Sequence, residues 1–234
     1  MNPRAVVAEL VGTAMLLIAV VGSGIMAQRL CGGNVGLALL ANALATGGAL
    51  IALILAFGPV SGAHFNPVVT LADASRGGLA WGGVPAYVAA QVLGAVGGVA
   101  LADWMFGVPA FFLSHHARGG APLFASEIVA TFGLLAVIWG LARTRPTAAP
   151  YAIAAYIVAA YWFTPSTSFA NPAVTLARSL TDTFAGIRPA DVLPFIIAEC
   201  IGGAVATALF AWLSPVRHVA TDDLRRERPA SAAS

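Results

Sequence analysis

Lysine is missing altogether: all 12 basic residues are arginine. Charge of either sign is scarce, at 9% of the 234 residues. A typical soluble domain carries roughly a quarter. A folded core of this size needs a charged rind in water, and 12 arginines with 10 acidic residues do not supply one. The net charge of +2 leaves no basic footprint for nucleic acid. Only two cysteines occur, Cys31 and Cys200, in unrelated contexts. They suggest no disulfide framework, and neither has metal-ligand spacing. These absences argue against a cytosolic enzyme and against a disordered chain. What is abundant is apolar residues, 59% of the total, so lipid is the expected main solvent.

A spanning helix needs about 20 apolar residues. Nearly uncharged runs of that kind lie at Ala5–Ala27, Val35–Phe57, Gly83–Leu101, Phe124–Ala142, Ala149–Thr164 and Val192–Leu213. They predict six spans, of which the fifth is short. The first run is long enough to span and lacks a clear cleavage site, so it reads as a helix that stays. Two further apolar segments, Ser61–Ala74 and Ser166–Leu180, are too short to cross, and each has a Pro near its middle. They read as re-entrant elements that dip in, turn at Asn-Pro and leave as half-helices. Such backbone is tolerated at membrane depth only where protein buries it or water bathes it. Two of them imply an aqueous path.

With the N-terminus in the cytoplasm, the inside segments carry Arg4, Arg76, Arg143, Arg145, Arg217, Arg225, Arg226 and Arg228. The outside segments carry Arg29, Arg118, Arg178 and Arg188. That bias follows the positive-inside rule and places both termini in the cytoplasm of a bacterial-type inner membrane. One channel-sized domain is expected over 1–216, followed by a polar cytoplasmic tail at 217–234.

The two halves repeat one another. Ala8-Glu9-Leu10-Val11-Gly12-Thr13 matches Ser126-Glu127-Ile128-Val129-Ala130-Thr131. Asn66-Pro67-Val68-Val69-Thr70-Leu71-Ala72 matches Asn171-Pro172-Ala173-Val174-Thr175-Leu176-Ala177. Ala90-Gln91-Val92-Leu93-Gly94 matches Ala198-Glu199-Cys200-Ile201-Gly202. Each repeat, about 5–106 and 124–213, holds three spans. An odd number inverts the second repeat, so the Asn-Pro loops enter from opposite faces and meet near the midplane. Asn is a good N-cap and Pro suits the first helical position. The amides of Asn66 and Asn171, with the positive ends of the half-helices, favour neutral hydroxylated solutes and oppose cations and hydronium.

On these residues the chain resembles the aquaporin (major intrinsic protein) superfamily, over Glu9 to about Leu213. Ser61-Gly62-Ala63-His64-Phe65-Asn66-Pro67-Val68 matches the first family signature, with Val68 where Ala is usual; Asn171-Pro172-Ala173 matches the second. The resemblance implies an all-α membrane protein with six tilted helices and two half-helices. It also implies one pore per subunit, a homotetramer, and neither enzymatic activity nor a cofactor. The family's filter positions fall on Thr46, Ala159, Ser168 and Val174, where nearly all members have Arg in place of Val174. Losing that Arg removes a positive charge and a five-donor fork, leaving a wide opening with no fixed cation in the ring; the alternative is that Arg178, one helical turn beyond Val174 toward the outer mouth, partly compensates. Similarity to the subgroup of bacterial arsenic-resistance operons implies arsenous acid and methylated arsenicals as solutes beside water and glycerol.

Other residues carry blander expectations. Glu9 and Glu127, inside spans, are read as anchors of the loops rather than proton couplers, and Glu199 as a parallel of Gln91. His64 lines the inner pore as a packed imidazole rather than a gate. His115 and His116 form a loop pair rather than a metal site. Asp103 reads as interfacial. Gly94, Gly97, Gly98, Gly202 and Gly203 read as helix-packing sites. Trp81, Trp104, Trp162 and Trp212 read as interface anchors. The alternative function is a secondary transporter, since inverted repeats with broken helices build those too. No carboxylate falls at the midplane to couple an ion.

Overall fold

The computed structural model describes residues 2–142 and 144–214; Arg143 and the expected tail at 217–234 lie outside the described residues. Eight α-helices are described: α1 (Pro3–Leu30), α2 (Val35–Ser61), α3 (Pro67–Ser75), α4 (Val84–Met105), α5 (Ala121–Ala142), α6 (Ala149–Phe163), α7 (Pro172–Arg178) and α8 (Pro189–Leu213). No strand occurs among the described residues. Side-chain caps set several starts. Asn2 and Asn34 accept from the N–H groups of Arg4 and Leu37, and Gly62 ends α2 with a left-handed φ of 87°.

Five helices (α1, α2, α5, α8, and α4 with the 3₁₀ turn before it) are long and apolar enough to cross a membrane. The fifth expected span is the exception. α6 has 15 residues, which at 1.5 Å per residue is about 22 Å. Hydrocarbon cores are about 30 Å thick. Pro165 explains the early stop, because a residue before proline is driven out of the α region. Thr164 duly has φ −114° and ψ 132°.

Six alternating passages put Pro3 and Leu213 on the same side, here termed the terminal face. α1 packs on α2 and α4, and α5 packs in the same way on α6 and α8. The half-helices tie the repeats together: α3 lies against α8, α7 against α4, and α2 against α6. Glycine permits the closest approaches. A Cβ at Gly94 or Gly98 would overlap the Leu10 or Ala14 carbonyl of α1, and one at Gly202 would overlap the Ile128 carbonyl of α5. Small residues at such crossings let backbones touch where lipid provides no hydrophobic drive. Gly97 differs from the expectation, since a Cβ there meets nothing within 4 Å.

Candidate functional site

Glu9 on α1 and Glu127 on α5 are fully buried. Glu9 Oε1 accepts from the Ser61 hydroxyl at 2.6 Å and the His64 N–H at 3.0 Å. Its Oε2 accepts from the Phe65 N–H and the Gln91 amide, both at 2.7 Å. Glu127 accepts from the N–H groups of Phe169 at 3.0 Å and Ala170 at 2.7 Å. The two loops they hold share an unusual backbone. Gly62, Ala63 and Phe65 in the first, and the matching Thr167, Ser168 and Ala170 in the second, are all left-handed, with φ from 49° to 87°. Such a conformation costs a non-glycine residue on the order of 1–3 kcal/mol. A hydrogen bond to a charged acceptor contributes roughly 1.5–3 kcal/mol. The carboxylates therefore offset the strain at about its own magnitude.

Held in this way, the loops meet. The Asn66 amide donates to the Ala170 carbonyl at 2.7 Å, and the Asn171 amide donates to the Phe65 carbonyl at 2.8 Å. Each Asn also caps its half-helix: Asn66 Oδ1 accepts from Val68 N–H, and Asn171 Oδ1 from Ala173 and Val174 N–H. An amide has two N–H donors. One from each Asn is used on the opposite loop, and the second is left. Behind them, Gln91 also donates to the Thr70 hydroxyl at 2.8 Å, while the matching Thr175 hydroxyl donates to Glu199 at 2.6 Å.

Both asparagines line a cavity of about 720 Å³. Its wall is mostly apolar, formed by residues such as Val20, Leu50, Ile54 and Ile157. It runs from the terminal face, at Pro59, Trp139 and Pro146, to Thr46, Tyr161, Ser168, Val174 and Arg178. Three of the four expected filter positions, Thr46, Ser168 and Val174, are among the lining residues; Ala159 is not. Ala159 shares an exposed stripe of α6 with Tyr151, Ala155 and Trp162, while Ile157, Ala160 and Tyr161 are buried. Counting back from Asn171 passes through a loop, which does not preserve the 100° helical phase. Tyr161 stands in the cavity instead, its hydroxyl 3.3 Å from that of Thr46.

The four expected filter positions carry no cation, and Arg178, one turn beyond Val174, lines the same cavity and is only 3% exposed. Its Nε donates to the Ala185 carbonyl, and its guanidinium lies over the Phe169 ring, 3.4 Å from the centroid. Seven residues past Asn171 is the same helical face. Asp73, seven past Asn66, lines the opposite end of the cavity.

His64 lines the cavity, shares a hydrogen bond with the Thr70 hydroxyl at 3.1 Å, and has Nε2 3.7 Å from Asp73. His115 meets Asp182 through its N–H at 2.8 Å and its ring at 2.9 Å, which holds the Asp182 carboxyl below the usual carboxylate range. His116 is exposed in the same segment. Asp103 is not interfacial: it is fully buried and accepts from the Thr181 hydroxyl at 2.9 Å. Cys31 and Cys200 are unpaired, and Trp81, Trp104, Trp162 and Trp212 are exposed.

Comparison with known proteins adds an independent line. Residues 1–164 match the family described as major intrinsic protein. The aquaglyceroporin AqpS of Rhizobium meliloti (strain 1021) is 50% identical, over 98% of this chain and 97% of its own. An aquaporin Z of Bradyrhizobium diazoefficiens is 32% identical, over 92% of this chain and 95% of its own. Among solved structures, the aquaglyceroporin from Plasmodium falciparum superposes with a TM-score of 0.66 at 20% identity, covering 89% of this chain and 95% of its own. That last likeness concerns the fold alone.

Proposed function

The chain belongs to the major intrinsic protein family, and from that premise we propose a passive channel for water and small neutral solutes, wide enough for glycerol-like polyols and arsenous acid. The reciprocal asparagine bonds across an elongated cavity carry this reading. A solute in the cavity loses most of its water, and the free amide N–H of each Asn replaces part of it for an oxygen acceptor. The donors suit neutral hydroxylated molecules and disfavour cations and hydronium. Val174, Ser168 and Thr46 are the filter side chains, and their small size sets a generous bore. The solute range extends to methylated arsenicals. Glu9 and Glu127 fix the loops and take no part in proton coupling. The functional unit is a homotetramer in the inner membrane with both termini cytoplasmic, and the arginine distribution supports that orientation.

The test is stopped-flow swelling of proteoliposomes with neutral solutes of rising size, comparing wild type with Val174→Arg. Arg restores bulk and charge, so glycerol and arsenous acid fluxes are expected to fall far more than water flux. Solute flux should be linear in concentration and indifferent to ion gradients. An unchanged size cut-off in Val174→Arg would remove Val174 from the constriction, and saturable, ion-coupled uptake would favour a carrier.

A further inference from the structure

We propose that Arg178 supplies this pore with the cation that position 174 lacks, and that with Ser168 it forms a docking site for the oxygens of a passing solute. The proposal rests on the cavity being the conduction path. The first observation is the state of the guanidinium. Its Nε is spent on the Ala185 carbonyl, and the Phe169 ring under it fixes its plane. An Arg side chain has five N–H donors. The four on the terminal nitrogens have no acceptor among the described residues, and no carboxylate oxygen there lies within the 4.0 Å of an ion pair. Glu127 already accepts from two loop N–H groups.

A second observation is independent. The Ser168 hydroxyl is buried without any hydrogen-bond partner, and Ser168 lines the same end of the cavity. A buried hydroxyl left alone is costly, and a ligand oxygen is the natural remedy. Arg118 adds charge from the segment before α5: its guanidinium also faces Phe169, at 5.0 Å from the centroid, and among the described residues that guanidinium bonds to the Gly186 and Ser166 carbonyls.

The repeats give an internal control. At the equivalent positions near the terminal face stand Asp73 and Ala63, a carboxylate and a methyl group in place of the guanidinium and the hydroxyl. The donor cluster is thus peculiar to one end of the cavity. Its chemistry selects a neutral molecule with two or three hydroxyl or oxo oxygens, a polyol or a protonated weak oxyacid. One oxygen takes N–H groups from the guanidinium fork and another takes the Ser168 hydroxyl.

Proteoliposomes of wild type, Ser168→Ala, Arg178→Lys and Arg178→Gln distinguish the outcomes, with water, glycerol and Na⁺ as probes. Ser168→Ala is expected to lower the glycerol-to-water permeability ratio about two- to tenfold, the worth of one hydrogen bond. Arg178→Lys keeps the charge and loses the fork, so Na⁺ stays excluded while the ratio falls. Arg178→Gln raises Na⁺ leak on the order of tenfold or more. If Arg178→Gln does not assemble, the ratio in Ser168→Ala and Arg178→Lys decides. Unchanged ratios in both would overturn the proposal and leave Arg178 a purely structural residue. A wild-type protein that passes neither water nor glycerol would instead sink the channel reading itself.

Discussion

Gly203→Ala probes how the two repeats accommodate unequal motifs. Val68 of α3 stands where α7 has Ala173, and Gly203 of α8 stands where α4 has Ala95. A Cβ at Gly203 would run into the Val68 side chain, which is only 4% exposed. The other crossing pairs alanine with alanine inside one apolar cluster. Large against nothing and small against small are two solutions to one contact. Overpacking costs about 1–3 kcal/mol. Replacing Gly by Ala in a helix returns about 1 kcal/mol, so Gly203→Ala alone should destabilise by roughly 0–2 kcal/mol. Val68→Ala alone leaves a void worth roughly 1–3 kcal/mol. The double variant recreates the alanine pair and should recover most of both losses, for a coupling of about 1–3 kcal/mol. Reversible unfolding in mixed micelles, followed by circular dichroism across all four proteins, measures it. Additivity within about 0.5 kcal/mol would refute the contact.

Two further outcomes follow from the site. Ala159→Leu should leave solute flux unchanged, because its side chain lies on the exposed stripe of α6, whereas Tyr161→Ala should alter the solute profile; equal effects would restore Ala159 to the pore. The Asp182 carboxyl is held low by its bonds from His115. A depressed folded pKa contributes stability above the unfolded value near 3.9 that is lost as pH falls through the folded one. Amide exchange at His115 should therefore stay slow, after correction for its intrinsic rate, from pH 8 to 5 and quicken only below about pH 4. Asp182→Asn should quicken it across that whole range, and a loss of protection near pH 6 would point to another group.

Much of the architecture was legible because it is written in strong local signals. Apolar runs gave the long helices, and the paired Asn-Pro motifs gave the half-helices and their meeting, since Asn caps and Pro starts are local chemistry. The shortness of α6 was legible in its apolar run, but the phase at Ala159 was not: Pro165 ends the helix, and a residue count cannot say how the loop rotates what precedes it. The left-handed positions were invisible because Ala63, Phe65, Ser168 and Ala170 are not glycines and carry no mark of positive φ. Asp103 seemed interfacial because its acceptor role depends on Thr181, which is distant in sequence. Arg178 was legible as a candidate from its place one turn beyond Val174, but the tilt of a seven-residue helix decides whether a side chain reaches the cavity or the loop.

The chemistry offered to a solute is what remains after the loops have satisfied themselves. Left-handed backbone turns paired N–H groups toward Glu9 and Glu127, and those bonds occupy oxygens of both buried carboxylates. Capping consumes both Asn carbonyl oxygens, and the reciprocal bonds consume one amide N–H from each. Among the described residues each amide keeps one N–H without a partner, while both carbonyl oxygens are turned to the half-helix starts. In the proposed channel, a molecule crossing there is favoured if it brings acceptor oxygens and no positive charge. A preference for neutral oxygen-bearing solutes would thus arise from the bonds that hold the fold together, whereas the upper size of those solutes would be set separately, by side chains such as Thr46, Tyr161, Ser168 and Val174. Stability and polarity of the path are coupled through the same atoms, and bore is free to vary.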